Sequence, residues 1–489
     1  MELLTIVLAL LSALTLFHGY RILSTRVKRF PPGPTPLPII GNLHLLGDQP
    51  HQSLAKLAKT HGPLMCLRLG FINTVVVSSA AMAKQVLQKQ DLAFSSRWPP
   101  NAVHACDQPK YSVVWLPVAS RWRSLRKVLN SNIFSGNRLD ANQHVRRRKV
   151  QELIAYCAKG SESGEAVDVG LAAFRTSLNL LSNIIFSRDL TDPFSDSGKE
   201  FKDLVWNIMA EAGKPNLVDY FPLLEKMDPQ GIRRRMTNHF GKMIQNFHGL
   251  ITERLEKGKS EETDDVIDVL LAISKENPEE MDTTHMERMC VDLFLAGTDT
   301  TSNTLEWAMA EAIRNPEIMK KAKSELEEIV GKGKIIGEED VQKLPYLRSM
   351  VKETLRIHPP VPFLIPRKVE EDVEVGGYSV PKNCQVLVNA WAIGRDEDTW
   401  KNPLEFNPER FLQDSEMDVR GMDFELIPFG AGRRICPGLP LAIRMVPVML
   451  GSLLNSFHWK LLQQELDMDE KFGITLRKAL PLRALPIPL

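Results

Sequence analysis

The sequence predicts a mainly α-helical fold with a small β region, and three observations lead there. Helical periodicity recurs through most of the chain, with long examples at 282–317 and 344–360. Runs rich in β-branched residues are few and short. No repeat, low-complexity segment or shift of composition divides residues 30–489, so the 489-residue chain reads as one body. Its length alone would have allowed about three domains of roughly 150 residues.

In chain order, residues 3–20 (LLTIVLALLSALTLFHGY) carry no charge, which reaches the length that spans a bilayer. Arg21, Arg26, Lys28 and Arg29 follow, and the positive-inside bias then places the body on the cytosolic side. A cleaved leader is the alternative. Against it stand Glu2, the lack of Lys or Arg ahead of the apolar run, and the lack of a small-x-small cleavage pattern. The expectation is a membrane anchor over 1–22, a basic and proline-rich hinge over 23–41, and the functional body over 42–489. PPGPTPLPIIG (31–41) cannot continue a helix and reads as a stiff spacer.

HQSLAKLAKTHG is an amphipathic helix ending at Gly62, and 64–79 reads as a hairpin turning at GFIN. Periodicity predicts helices over 138–160, 198–213, 230–258 and 261–275. The long pattern at 282–317 is capped early by acids and Thr and stopped by Asn315-Pro316; that at 344–360 is halted by two prolines. Strand-like runs follow at 363–380 and 384–390, and a helix over 437–457.

Charge is balanced, with 61 Lys+Arg against 60 Asp+Glu, which excludes a nucleic-acid binder held by bulk electrostatics. Six cysteines without a CxxC pair exclude a disulfide framework and a structural zinc site, and point to a reducing compartment. The absence of any N-x-[ST] acceptor agrees.

One cysteine stands apart. In FGAGRRICPG (429–438), Cys436 lies between Arg433, Arg434 and backbone amides that Gly430, Gly432 and Gly438 leave accessible, ahead of a helix N-terminus. Positive charge, N–H donors and a helix dipole all favour a thiolate. With no second Cys or His nearby, the loop suits a single axial metal ligand. A glycine turn with an incidental Cys is the alternative.

The pattern F-x-x-G-x-R-x-C-x-G, met by Phe429, Gly432, Arg434, Cys436 and Gly438, resembles the haem-binding loop of the cytochrome P450 family. Three further motifs stand in the family's order. ETLR sets Glu353 and Arg356 one turn apart, and PERF supplies Arg410. AGTDTT (296–301) places Gly297 and threonines, poor helix residues, inside a long helix that they are expected to bend into a groove.

The resemblance spans the whole chain and implies the cytochrome P450 fold with haem b bound through Cys436. It implies Thr300 beside bound dioxygen, Asp299 relaying protons, and a buried charge network of Glu353, Arg356 and Arg410. Arg97, Trp122, Arg126, Arg367, Phe429 and Arg434 are implied as haem contacts. Val103, Leu116, Leu293, Ala296, Val361, Phe363, Leu364 and Ile474 are implied as an apolar substrate wall. It implies O2 as co-substrate, residence in the endoplasmic-reticulum membrane, and no nucleic-acid partner.

Several long stretches, among them LPVASRWRSLRKVLNSNIFSGNRLDANQH and GKPNLVDYFPLLEKMDPQGIR, are similar to plant members that hydroxylate a terminal allylic methyl of an acyclic monoterpene alcohol such as geraniol. Relatives acting on other terpenoids or on prenylated phenols such as a geranylated hydroquinone are the alternative. Trp98, Pro99, Cys106 and Tyr111 depart from the pattern in the loop 95–115, which in the family overhangs the substrate. Non-oxygenating isomerases and dehydratases of the family tend to lack the Asp-Thr pair present here. No Rossmann glycine pattern follows a strand, so electrons must come from a partner, an NADPH-dependent reductase. Arg123, Lys127, Arg433 and Arg444 are expected to form the face it meets.

Overall fold

A computed structural model of the chain describes residues 30–192, 197–258, 265–413, 417–462 and 466–489. The expected anchor (1–22) and the start of the hinge lie outside the described residues. The rest of the hinge is more than a spacer, because its backbone serves the edge of the first strand. Cys66 N–H donates to Pro32 O (2.8 Å), Asn42 N–H to Arg68 O (2.6 Å), and Asn42 Oδ1 accepts from Arg68 N–H (2.9 Å).

Helix α1 (Pro50–His61) ends on Gly62, as its amphipathic pattern predicts. The β-branched run forms the antiparallel hairpin of β1 (Leu64–Leu69) and β2 (Ile72–Val77), paired from Leu64↔Val77 to Leu69↔Ile72. Three short strands extend it: β3 (Ser96–Arg97), β4 (Arg367–Lys368) and β5 (Gln385–Val388), in the order β1-β2-β5-β4-β3. The β3–β4 register sets Arg97 directly opposite Arg367.

The remainder is mostly helical: α2 (Ser120–Val128), α3 (Gln143–Ser163), α4 (Val169–Phe186), α5 (Ser197–Gly213), α6 (Ile232–Lys257), α7 (Val266–Glu276), α8 (Thr283–Arg314), α9 (Pro316–Ile329), α10 (Pro345–Ile357) and α11 (Leu439–Ser456). The pattern read as one helix over 138–160 is broken at Asn142, whose side-chain amide donates to Arg138 O (3.0 Å) and closes a short preceding turn of helix. Helix α7 begins only at Val266, where Asp265 caps it.

Helix α8 is the axis of the fold. Asp282 and His285 form a capping box at its start, and it packs against α4, α6, α10 and α11. Helix α4 is missing from the sequence expectation; its polar residues Arg175, Thr176, Asn179 and Ser182 are buried along with its apolar ones. Helices α4 and α11 are long and apolar enough to cross a bilayer, yet both are largely packed inside this fold.

Through AGTDTT, α8 keeps its helical pattern unbroken from Thr283 to Arg314. Thr298, Thr300 and Thr304 satisfy their hydroxyls on the carbonyls of Phe294, Ala296 and Thr300, one turn back. Gly297 serves packing instead, since a Cβ there would lie 2.7 Å from Leu181 Cδ1 on α4.

Candidate active site

Cys436 sits where a 3₁₀ turn, Gly432–Arg434, passes the chain to α11. Its N–H donates to Phe429 O (3.0 Å), and the thiol receives the backbone N–H groups of Gly438 and Leu439. Burial raises the thiol above its usual range, while those two donors and the charge of Arg126 pull it down. A bound metal cation would complete the shift to thiolate. The other five cysteines are free as well. Burial pushes Cys66, Cys157 and Cys384 up to about 12, which makes them inert thiols.

The arginines flanking Cys436 do not act as adjacency suggests. Arg433 turns outward to Asp91 (Nε–Oδ2 2.8 Å), and Arg434 turns into a cavity. The charge that faces the sulfur comes from Arg126 on α2, which donates to Ile435 O (2.6 Å). Gly432 is required by close approach rather than by access to the sulfur. At φ 68 its added Cβ would stand 2.0 Å from Leu87 O.

Between Cys436 and α8 lies a cavity of about 290 Å³, and all six expected cofactor contacts line it: Arg97, Trp122, Arg126, Arg367, Phe429 and Arg434. Arg97 and Arg367 enter as cross-strand partners, a like-charge pairing that destabilises a sheet unless it is compensated. Arg434 donates to Ser95 O (2.8 Å), Val113 O (3.3 Å) and Leu116 O, and lies over the Trp122 ring. Among the described residues, no carboxylate pairs with Arg97, Arg126, Arg367 or Arg434. Burial, with repulsion from neighbouring guanidiniums, holds Arg97 well below its usual range and Arg434 down to about 9; burial holds Arg367 down to about 10. The Nε groups of Arg97 and Arg367 are buried with no acceptor in the protein. A flat group that brings two carboxylates to these donors and an iron to one thiolate supplies what is missing, so the residues fit haem.

The wall opposite Cys436 is α8. Asp292, Ala296 and Thr300, spaced i, i+4, i+8, share its cavity face with Leu293. Thr300 Oγ donates to Ala296 O (2.6 Å), which leaves its oxygen able to accept a proton. Asp299 is not on this face. One residue is about 100° of helix rotation, and its carboxylate instead accepts from Thr475 Oγ (2.6 Å) and Asn303 Nδ2 (3.2 Å). Burial raises its pKa.

Four of the eight expected substrate residues line the cavity: Leu293, Ala296, Val361 and Leu364. The others do not. Phe363 and Ile474 line a second pocket of about 120 Å³ together with Trp98 and Tyr220, and Leu364 is common to both spaces. In the 361–366 segment, Val361 and Ile365 line the main cavity, Phe363 and Pro366 line the second pocket, and Leu364 borders both. Val103 and Leu116 are buried in the main core, and Leu116 contributes its carbonyl to Arg434.

Beneath the cavity, Glu353, Arg356 and Arg410 come together. Arg356 grips Glu353 with two bonds (2.6 and 2.7 Å) at zero side-chain exposure, and Arg410 Nε reaches Glu353 Oε1 at 3.0 Å. Arg356 also donates to Gly394 O, Pro403 O and Glu405 O, which pins the chain leading toward the Cys436 loop.

Sequence reasoning passed over Asp292 and Val113, both on the cavity wall. The i, i+4 spacing back from Thr300 would have found Asp292. Nothing in the loop sequence marks Val113.

The fold and this site define a haem-thiolate monooxygenase: the chain belongs to the cytochrome P450 family, whose model matches residues 31–483. Along the full length of both chains it is 72% identical to geraniol 8-hydroxylase of Catharanthus roseus. It is 69% identical to geraniol 8-hydroxylase of Swertia mussotii, covering 100% of this chain and 99% of that one. A geranylhydroquinone 3''-hydroxylase of Arnebia euchroma is 53% identical at the same coverage.

Proposed function

We propose that this protein hydroxylates a terminal allylic methyl of geraniol to give 8-hydroxygeraniol, using O2 and electrons that an NADPH-dependent cytochrome P450 reductase delivers. The observation that carries this reading is full-length identity of 72% and 69% to two geraniol 8-hydroxylases. Hydroxylation of a prenylated phenol is the second reading, favoured by the relative that acts on geranylhydroquinone.

Cys436 would hold the iron, Arg97, Arg126, Arg367 and Arg434 would hold the haem carboxylates, and Trp122 and Phe429 would contact the cofactor. When bound, the haem supplies the dioxygen activation that no side chain here performs. The chain's own residues do the rest. Leu293, Ala296, Val361 and Leu364 exclude water and lay the prenyl chain along the cavity. Such walls discriminate by only about 1–3 kcal/mol per methylene, so other acyclic monoterpenols compete with geraniol.

Thr300 holds a proton at Oγ on the cavity face. Asp299, its affinity for a proton raised by burial, resupplies it by swinging from Thr475 toward Thr300. Thr300→Ala is expected to keep consuming NADPH while product per NADPH falls roughly tenfold and hydrogen peroxide rises. That is less than the ~10²–10⁴ attributed to a fully lost proton donor, because water fills the gap. Product and peroxide measured together check it.

The reductase docks on the outer face of α2. Arg123 and Lys127 are exposed there, whereas Arg433 and Arg444 are matched by Asp91 and by Asp140 with Glu338. Reversing both exposed charges (Arg123→Glu with Lys127→Glu) is expected to slow reductase-driven reduction severalfold and to flatten its salt dependence. Stopped-flow reduction at two ionic strengths reads this directly.

The anchor over 1–22 holds the protein in the endoplasmic-reticulum membrane with the body in the cytosol. Exposed Ile39, Ile40 and Phe71 support this, since they lie together: Gly70 N–H donates to Ile40 O, and Phe71 packs on Phe221, just ahead of exposed Leu223 and Met227. The second pocket opens beside them and gives a membrane-dissolved alcohol a path past Leu364. Incubating membranes that carry this protein and a reductase with NADPH and geraniol, then identifying products, tests the whole reading.

A further inference from the structure

We propose that Asp292 is a positioning residue that clamps the segment 108–116 over the cavity and so sets the substrate wall formed by Val113 and Val114.

The carboxylate is buried and meets three donors from that one segment. Ser112 Oγ lies 2.8 Å from both of its oxygens, Gln108 Nε2 is 3.1 Å from Oδ1, and Val113 N–H is 2.8 Å from Oδ2. Ser112 and Gln108 are themselves buried, so these bonds do not compete with bulk water. Ser112 Oγ also accepts from Val114 N–H (3.1 Å), which carries the clamp one residue further. Asp292, Val113 and Val114 all line the same cavity.

The segment needs such a restraint. It forms no α-helix or strand, and just before it Cys106 (φ 54) and Asp107 (φ 57) stand in the left-handed region that non-glycine residues rarely occupy. The same segment then reaches the cofactor side. Val113 O accepts from Trp122 Nε1 (3.1 Å) and Arg434 Nη1 (3.3 Å), and Leu116 O accepts from Arg434. One short stretch of backbone therefore bonds to α8 through Asp292 and to the arginine wall through its carbonyls. Its place over the substrate is fixed from both ends. Asp292 does no chemistry on this account: its oxygens are occupied by the segment, and it acts through Val113 and Val114.

The kinetic arm of the test rests on geraniol being a substrate; the structural arm does not. Hydrogen exchange is followed by mass spectrometry on the full-length holoenzyme, wild type against Asp292→Ala, Asp292→Asn and Ser112→Ala. In Asp292→Ala, protection of the 108–116 amides is expected to fall at least tenfold while α4 and α8 stay protected. KM for geraniol is expected to rise at least tenfold, with kcat changed less than threefold. Asp292→Asn keeps an acceptor for Val113 N–H and should fall between Ala and wild type, as should Ser112→Ala. Unchanged protection of 108–116 in Asp292→Ala overturns the proposal, and so does loosened exchange with unchanged KM. Were the wild type not to turn over geraniol, the proposed function would fall and the exchange result alone would decide the clamp.

Discussion

Replacing Cys436 by serine is expected to abolish the carbon-monoxide difference band of a thiolate-ligated haem and to cut product formation by at least about 10³-fold, into the background. The site offers a buried sulfur two backbone donors, from Gly438 and Leu439, and one nearby cation, Arg126. A serine hydroxyl in that place keeps the donors but stays protonated, and would donate far less electron density to a bound iron. The four arginine side chains that line the cavity are kept in this variant, so haem content should fall much less than activity. A variant that keeps the band would remove Cys436 as the ligand.

The second large effect is on stability. Glu353→Ala leaves Arg356, with no side-chain exposure, and Arg410 facing each other without their shared carboxylate. Breaking a buried pair by removing one partner costs about 3–5 kcal/mol. That is a large share of the roughly 5–15 kcal/mol that holds a typical domain folded. Reduced yield of haem-loaded protein and a lowered unfolding midpoint are expected. Glu353→Gln, which keeps an acceptor for Asn407 N–H (2.7 Å), should lose less. Equal stability of Glu353→Ala and wild type in denaturant titration would show that the carbonyls around Arg356 suffice.

What the sequence made legible follows the range of the signal. Helices with a polar face (α1, α10), the capped and proline-stopped α8, and the hairpin β1–β2 announce themselves over a few residues, and so do motifs confined to one turn, such as Glu353 with Arg356. Helix α4 buries its polar residues Arg175, Thr176, Asn179 and Ser182 along with its apolar ones, so it lacks the solvated face that marks the others. Direction was the harder quantity. Arg433 and Arg434 are neighbours, yet one meets Asp91 at the surface and the other lines the cavity, because a 3₁₀ turn rotates each residue by about 120°. A 100° step along α8 separates Asp299 from Thr300, and the irregular 361–366 segment separates Phe363 from Val361. Family position names the segments that approach a substrate; which side chain of a segment faces it depends on local backbone that single-residue reading does not resolve. Asp292 was within reach of the i, i+4 rule, but its partners Gln108, Ser112 and Val113 are about 180 residues away and could be found only in the fold.

The central claim is that this chain inserts one atom of dioxygen into the terminal allylic methyl of geraniol with electrons from a reductase. Turnover of geraniol under ¹⁸O₂, in membranes holding the protein, a reductase and NADPH, tests it most directly. 8-Hydroxygeraniol carrying one heavy oxygen at the new hydroxyl is expected, and none of it without NADPH. A product labelled from water, or a wild-type protein with an intact thiolate band that leaves geraniol unchanged, would contradict it.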